Sequence, residues 1–155
     1  MRFAVDSNIL VYAFVRDDLV KHTLAAEIMV RAMTLDAVVA VQTVAEFLNV
    51  IRRKQPHLFD DALAQVRRWQ DVFELVATTG DHIVSGADFS ARFKLQFWDS
   101  VIWQVARSSH ATLFLTEDLQ DQATLEGMKV LNPFNPLNKA ELDRLLSSAD
   151  HKIDW

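Results

Sequence analysis

Phe3-Ala4-Val5 runs without a polar break into Asp6-Ser7-Asn8. An uninterrupted apolar run is how a parallel strand reads, because helices cover both of its faces. Further short runs of this kind lie at Ala37–Val41, Phe73–Ala77, Thr112–Thr116 and Lys129–Leu131. Between them apolar positions recur at helical intervals. Asp17–Met33 carries Leu19, Ala26, Val30 and Met33. Thr43–Lys54 reads as a helix that stops before Pro56. Asp60–Val72 sets Leu63, Val66 and Trp69 on one side, and Gly80–Leu95 is mostly helical. Asp99–Ser109 is a helix with Trp98-Asp99 at its N-terminus. Asn138–Ser148 forms a last helix with Leu142, Leu145 and Leu146 as its apolar side. Strands alternating with helices predict a parallel sheet in an α/β sandwich. Trp69, Trp98 and Trp103 are expected in the core, and Trp155 is expected to be exposed.

Composition narrows the class. A chain of 155 residues, half of them apolar, is most simply one domain with a real core. Three glycines and three prolines argue against disorder or a linker. Without cysteine there is no disulfide framework, zinc ribbon or thiol nucleophile, which fits a reducing cytosol. No signal peptide and no membrane span are expected, so the expected location is cytoplasmic. His22, His57, His82, His110 and His151 show no ligand spacing. The net charge of −5 speaks against a general nucleic-acid binder, unless clustered acids account for it.

Clustered acids are what the pattern offers. Asp6 and Asp118 end apolar strands, Glu46 interrupts an apolar helix, and Asp99 sits between Phe97-Trp98 and Ser100-Val101-Ile102-Trp103. Asp6 taken alone is equally a helix cap, and Ser7 and Asn8 either cap the next helix or orient the carboxylate. A buried carboxylate costs several kcal/mol unless it is paired or metal-bound. No obvious Lys or Arg stands beside three of these positions, so a shared divalent cation is the economical partner. Mg²⁺ prefers hard oxygen ligands and uses few carboxylates. Glu46, Asn49 and Arg53 share a helical face, which makes Arg53 a candidate anion contact beside such a cation. A solvated helix end explains that spacing as well.

Val5-Asp6-Ser7-Asn8, Gln42-Thr43-Val44-Ala45-Glu46-Phe47, Phe97-Trp98-Asp99-Ser100 and Leu115-Thr116-Glu117-Asp118-Leu119-Gln120, followed by Asn132-Pro133-Phe134, together resemble the PIN-domain ribonucleases. More narrowly they resemble VapC-type toxins of type II toxin–antitoxin systems. The resemblance implies a three-layer α/β/α sandwich with a central parallel sheet. It implies a nuclease domain over residues 1–135; residues 136–155 lie beyond the matched stretch and are expected to form a helical extension packed on it. It also implies a metal site of Asp6, Glu46, Asp99 and Asp118 holding Mg²⁺ or Mn²⁺. Ser7, Asn8, Ser100 and Thr116 are the expected orienting residues, and Asn49 and Arg53 are candidates for RNA contact. Glu117, Asp118 and Asp121 crowd one turn, and Asp118 is favoured because it completes a Thr-x-Asp pattern. The implied partners are an RNA substrate, a VapB-type antitoxin crossing a groove near Trp69, and a second copy in a homodimer.

Other acid-tipped α/β folds fit less well. A receiver domain needs a lysine after its last strand, where this chain has Leu131-Asn132-Pro133. A haloacid-dehalogenase-type phosphatase needs an acid where Asn8 stands. A non-catalytic PIN-fold module, or a PIN nuclease of RNA maturation without an antitoxin, remains the alternative. Small size and the absence of a fused RNA-binding domain favour the toxin.

Overall fold

The computed structural model describes residues 1–147. In chain order the elements are β1 (Phe3–Val5), α1 (Ser7–Phe14), α2 (Leu19–Ala32), β2 (Ala37–Ala40), α3 (Val41–Lys54), α4 (Phe59–Val72), β3 (Glu74–Val76), α5 (Gly80–Phe93), α6 (Phe97–Ser108), β4 (Leu113–Leu115), β5 (Thr124–Leu125), β6 (Met128–Leu131) and α7 (Lys139–Ser147). The sheet has six strands in the order β3-β2-β1-β4-β6-β5. β1 lies parallel to β2 on one side, Phe3 opposite Ala37, and parallel to β4 on the other, Phe3 opposite Leu113. The chain thus leaves β1 toward β2 and β3 and later returns to its other side. That reversal is where open α/β sheets form a crevice at their carboxyl ends.

Successive strand residues face opposite sides of a sheet. Phe3, Val5, Val39 and Leu115 enter one core with Ile9, Ile28, Phe47 and Trp69, and Leu142, Leu145 and Leu146 of α7 close it. Ala4, Val38 and Phe114 enter the other core with Phe89, Ile102 and Trp103. The two cores make the expected three-layer α/β/α sandwich, with α1–α4 and α7 on one face and α5 and α6 on the other. No helix among the described residues is long and apolar enough to cross a membrane.

The structure departs from the sequence expectations in specific places. α1 occupies Ser7–Phe14, where no helix was expected, and the helix expected over Asp17–Met33 is α2 alone. The apolar side of α2 is Ala25, Ile28, Met29 and Ala32, whereas Leu19, Val30 and Met33 are exposed. Trp98 is 47% exposed and outside the core. Trp69 is only 4% exposed and packs edge-on against Phe47 at 5.1 Å, in the core as expected. β5 and β6 form an antiparallel hairpin, Leu125 opposite Met128, turning through Glu126 and Gly127, both at positive φ. Ser148, His151 and Trp155 lie outside the described residues.

α5 and α6 approach closely at Gly86. A Cβ there would lie 2.8 Å from Val101 Cγ2 and 3.0 Å from Val101 Cα. Val101 lies two residues beyond Asp99, so this contact seats the helix that carries that acid. Gly86→Ala gains at most about 1 kcal/mol of helix propensity against an overpacking cost of about 1–3 kcal/mol. The urea midpoint of Gly86→Ala is therefore expected to fall. A rise would show that α5 and α6 separate freely.

Candidate active site

The site grows from the residue that ends β1. The Asp6 amide continues the pairing of β1 with β4 by donating to Leu115 O at 3.0 Å. Its side chain then caps α1, Oδ1 accepting from the Ser7 amide at 2.8 Å. Oδ2 accepts from Thr116 Oγ1 at 2.7 Å. Asp6 is therefore a cap, as one reading of the sequence had it, but it is also only 4% exposed and without a cation. Burial raises its pKa to about 7, against the lowering bonds from Thr116 and Ser7, and the charges of Asp99 and Asp118 push the same way as burial.

Thr116 ties the second strand end to the first. Its Oγ1 donates to Asp6 and accepts from the Asp118 amide at 3.1 Å and from Asn8 Nδ2 at 3.1 Å. Asn8 Nδ2 also reaches Asp118 Oδ2 at 3.0 Å. Asn8 Oδ1 is buried with no hydrogen-bond partner. Glu46 stands half-buried on α3, the helix that follows β2, with the Ser7 and Gln42 side chains bonded to its carboxyl group. Burial raises its pKa despite those bonds, and Asp99 and Asp118 add to the rise. Asp99, in the first turn of α6, is raised first by burial and then by Asp118.

Asp6, Glu46, Asp99 and Asp118 therefore share one electrostatic neighbourhood. Several basic residues are paired away from these acids: Lys21 with Glu117, Arg92 and Arg107 with Glu126, Lys129 with Glu141. Among the described residues no group of three or more His, Cys, Asp or Glu side chains stands as a ready metal cage. The arrangement is an open field of hard oxygen donors, and its uncompensated charge fits a hard divalent cation that keeps part of its water.

The other expected site residues separate into those that touch the acids and those that do not. Ser7, Asn8 and Thr116 touch them. Ser100 is buried and donates to Gln96 O at 2.8 Å, back onto its own helix, so its hydroxyl orients no carboxylate. Asn49 and Arg53 are exposed. A cavity of about 370 Å³ opens beside Asp118 between α1 and the end of α3, and Lys54, not Arg53, lines it with Asn8, Val11, Val50 and Asp118. Lys54 was missed because it is one of three basic residues in a row, and spacing alone does not say which one borders the cavity. Asp121 binds the Asn132 amide and the side chains of Asn135 and Asn138, whose bonds overcome burial and hold its pKa low.

Residues 3–126 match the family model of the PIN domain. No curated protein matches the chain. Among solved structures, VapC20 of Mycobacterium tuberculosis, a sarcin–ricin-loop-cleaving toxin, superposes with a TM-score of 0.62 at 16% identity over 72% of this chain and 86% of that one. VapBC2 of Rickettsia felis, bound to a promoter DNA fragment, gives 0.63 at 12% identity over 85% and 98%. A toxin–antitoxin complex from Klebsiella pneumoniae gives 0.61 at 18% identity over 84% and 97%. At these identities the likeness is one of fold.

The raised pKa of Asp6 has a definite consequence for stability. The fold binds that proton more tightly than the unfolded chain, whose aspartate titrates near 3.8. The contribution of Asp6 therefore favours the fold fully below about pH 4 and is lost as pH rises through about 7. In EDTA, wild-type Tm should fall between pH 5 and pH 8. Asp6→Asn should flatten that slope and melt roughly 5 °C higher at pH 8. An unchanged slope in Asp6→Asn would place the titration elsewhere.

Proposed function

The chain belongs to the PIN-domain family, and from that premise we propose that it is a divalent-metal-dependent endoribonuclease, the toxin of a toxin–antitoxin pair. The observation that carries the reading is the buried Asp6 carboxylate, which feels the charges of Asp99 and Asp118, as Glu46 also does, with no cation bonded to it. In this reading all four acids are the ligands of Mg²⁺ or Mn²⁺. Bound divalent cations lower the pKa of a bound water and neutralise the leaving oxygen of a phosphodiester.

The residues of the chain supply the rest. Ser7 and Thr116 fix both oxygens of Asp6, so that ligand cannot swing. Asn8 holds Asp118 over Thr116. Glu46, with its raised proton affinity, is suited to accept the proton of an attacking water. An RNA strand would run from the acids into the adjoining cavity, its apolar floor of Val11, Val15 and Val50 facing a base and Lys54 facing a phosphate. Asn49 and Arg53 would then lie on the rim. The acidity of the chain agrees with this, since bound metal would neutralise much of the cluster.

The antitoxin, the homodimer and the cytoplasmic location belong to the same proposal. Solved neighbours from Rickettsia felis and Salmonella typhimurium are DNA-bound VapBC assemblies, which supports a VapB-type partner here. The exposed Leu19, Val20 and Val30 of α2, with Met33 just beyond it, give a partner an apolar face in addition to the groove expected near Trp69.

Purified protein should cut bacterial RNA with Mn²⁺ or Mg²⁺ and stop in EDTA. Asp6→Asn and Asp99→Asn should be inactive, and Thr116→Val should lose roughly 10–100-fold. Expression should arrest growth, and Asp6→Asn should not. Equal cleavage in excess EDTA would refute the mechanism, and an active nuclease without growth arrest would refute the toxin role alone.

A further inference from the structure

Glu117 precedes Asp118 directly, yet its carboxylate takes no part in the cluster. Tyr12 Oη of α1 donates to Glu117 Oε1 at 2.5 Å, and Lys21 Nζ of α2 donates to Oε2 at 2.7 Å. Lys21 Nζ also donates to Tyr12 Oη at 3.2 Å. The same ammonium stands 4.7 Å from the centroid of the Tyr12 ring and 5.2 Å from that of Phe134. Those two rings meet edge to face at 5.1 Å. An exposed ion pair is worth little because solvent screens it. This one is partly shielded, with side-chain exposures of 32% and 22%, and two aromatic rings flank its cation. Both donors keep their protons. The Lys21 bond to Glu117 is the main cause that raises Lys21, and burial followed by Tyr12's own bond to Glu117 raises Tyr12.

We propose that Lys21 and Tyr12 are positioning residues that hold Glu117 out of the carboxylate cluster, so that the cation site presents four acids and not five. The inference rests on the metal-site reading given above. Three facts point to it. Both oxygens of Glu117 are engaged away from the acids. Glu117 and Tyr12 both line the cavity beside Asp118, so a Glu117 freed of its two donors has open space in which to turn toward Asp118. Phe134, beyond the last strand, completes the aromatic seat and gives a role to the Asn132-Pro133-Phe134 segment.

The test is Mn²⁺ titration by calorimetry on the full chain, with RNA cleavage measured in parallel. Tyr12→Phe removes one tether without changing charge, and Lys21→Met removes the other. Both should bind Mn²⁺ more tightly, Lys21→Met by roughly three- to tenfold, the effect of one added charge a few Å away in a watery cleft. Lys21→Arg should restore the wild-type affinity. In a Glu117→Gln background Tyr12→Phe should have no effect, and the Lys21→Met shift should shrink. Equal shifts in both backgrounds would mean that a nearby positive charge was merely lost, and would overturn the proposal. So would unchanged Mn²⁺ affinity in both variants. If Lys21→Met does not fold, Tyr12→Phe alone decides between these outcomes. A wild type that binds no Mn²⁺ would overturn the metal-site reading and this inference together, whereas a Mn²⁺-binding wild type with unresponsive variants overturns this inference alone.

Discussion

A carboxylate buried at the end of a central strand, with no positive charge to meet it, is the constraint around which this protein is arranged. Desolvation alone makes an ionised Asp6 expensive. Hydrogen bonds from Thr116 and the Ser7 amide recover part of that cost but leave its pKa near 7. The remaining acids make matters worse for one another. A site that is unfavourable for charge when empty becomes favourable once a divalent cation enters, because the same low-dielectric surroundings then strengthen attraction. Burial of Asp6 is in this view a store of affinity for a cation.

The fold delivers this arrangement through strand order. β1 lies between β2 and β4, so its carboxyl end is flanked by the loops that follow both neighbours. Thr116 follows β4 and Glu46 lies on the helix after β2. α6 runs back toward the start of β4 and so presents its own N-terminus, with Asp99 in the first turn, at the same edge. That end of a helix favours an ionised carboxylate. Every residue from Ser100 to Ala106 is buried, so the helix carrying Asp99 is seated on all sides. Tyr12 and Lys21 bond to Glu117, tying α1 and α2 to the short turn that bears Asp118.

Strands and acids were readable because both are decided locally. A parallel strand covered on both faces must be continuously apolar, and an acid at its tip stands out. α1 was not readable for the converse reason. Ser7–Phe14 is nearly all apolar, with Ile9 and Leu10 buried and Val11–Phe14 half-buried, so it has no polar face to mark a helical period. In α2 the right face was present as Ala25, Ile28, Met29 and Ala32, but Leu19, Val30 and Met33 offered a competing stripe of bulkier residues. The β5–β6 hairpin turns on Glu126-Gly127, a weaker signal than Asn-Gly or Asp-Gly. At the site, Ser100 beside Asp99 suggested an orienting hydroxyl, but a serine inside a helix can satisfy itself on the preceding turn, as it does here. The Tyr12–Lys21–Glu117 cluster joins residues far apart in sequence, and no local pattern announces it.

The central claim is that the four acids exist to hold a cation. Crystals of the wild-type chain soaked in Mn²⁺ and measured at the manganese absorption edge test it most directly. The account predicts an anomalous peak within ligand distance of Asp6 and at least one of Glu46, Asp99 and Asp118, and no such peak in Asp6→Asn. A strong peak elsewhere with none at Asp6, or none at saturating Mn²⁺, would contradict it.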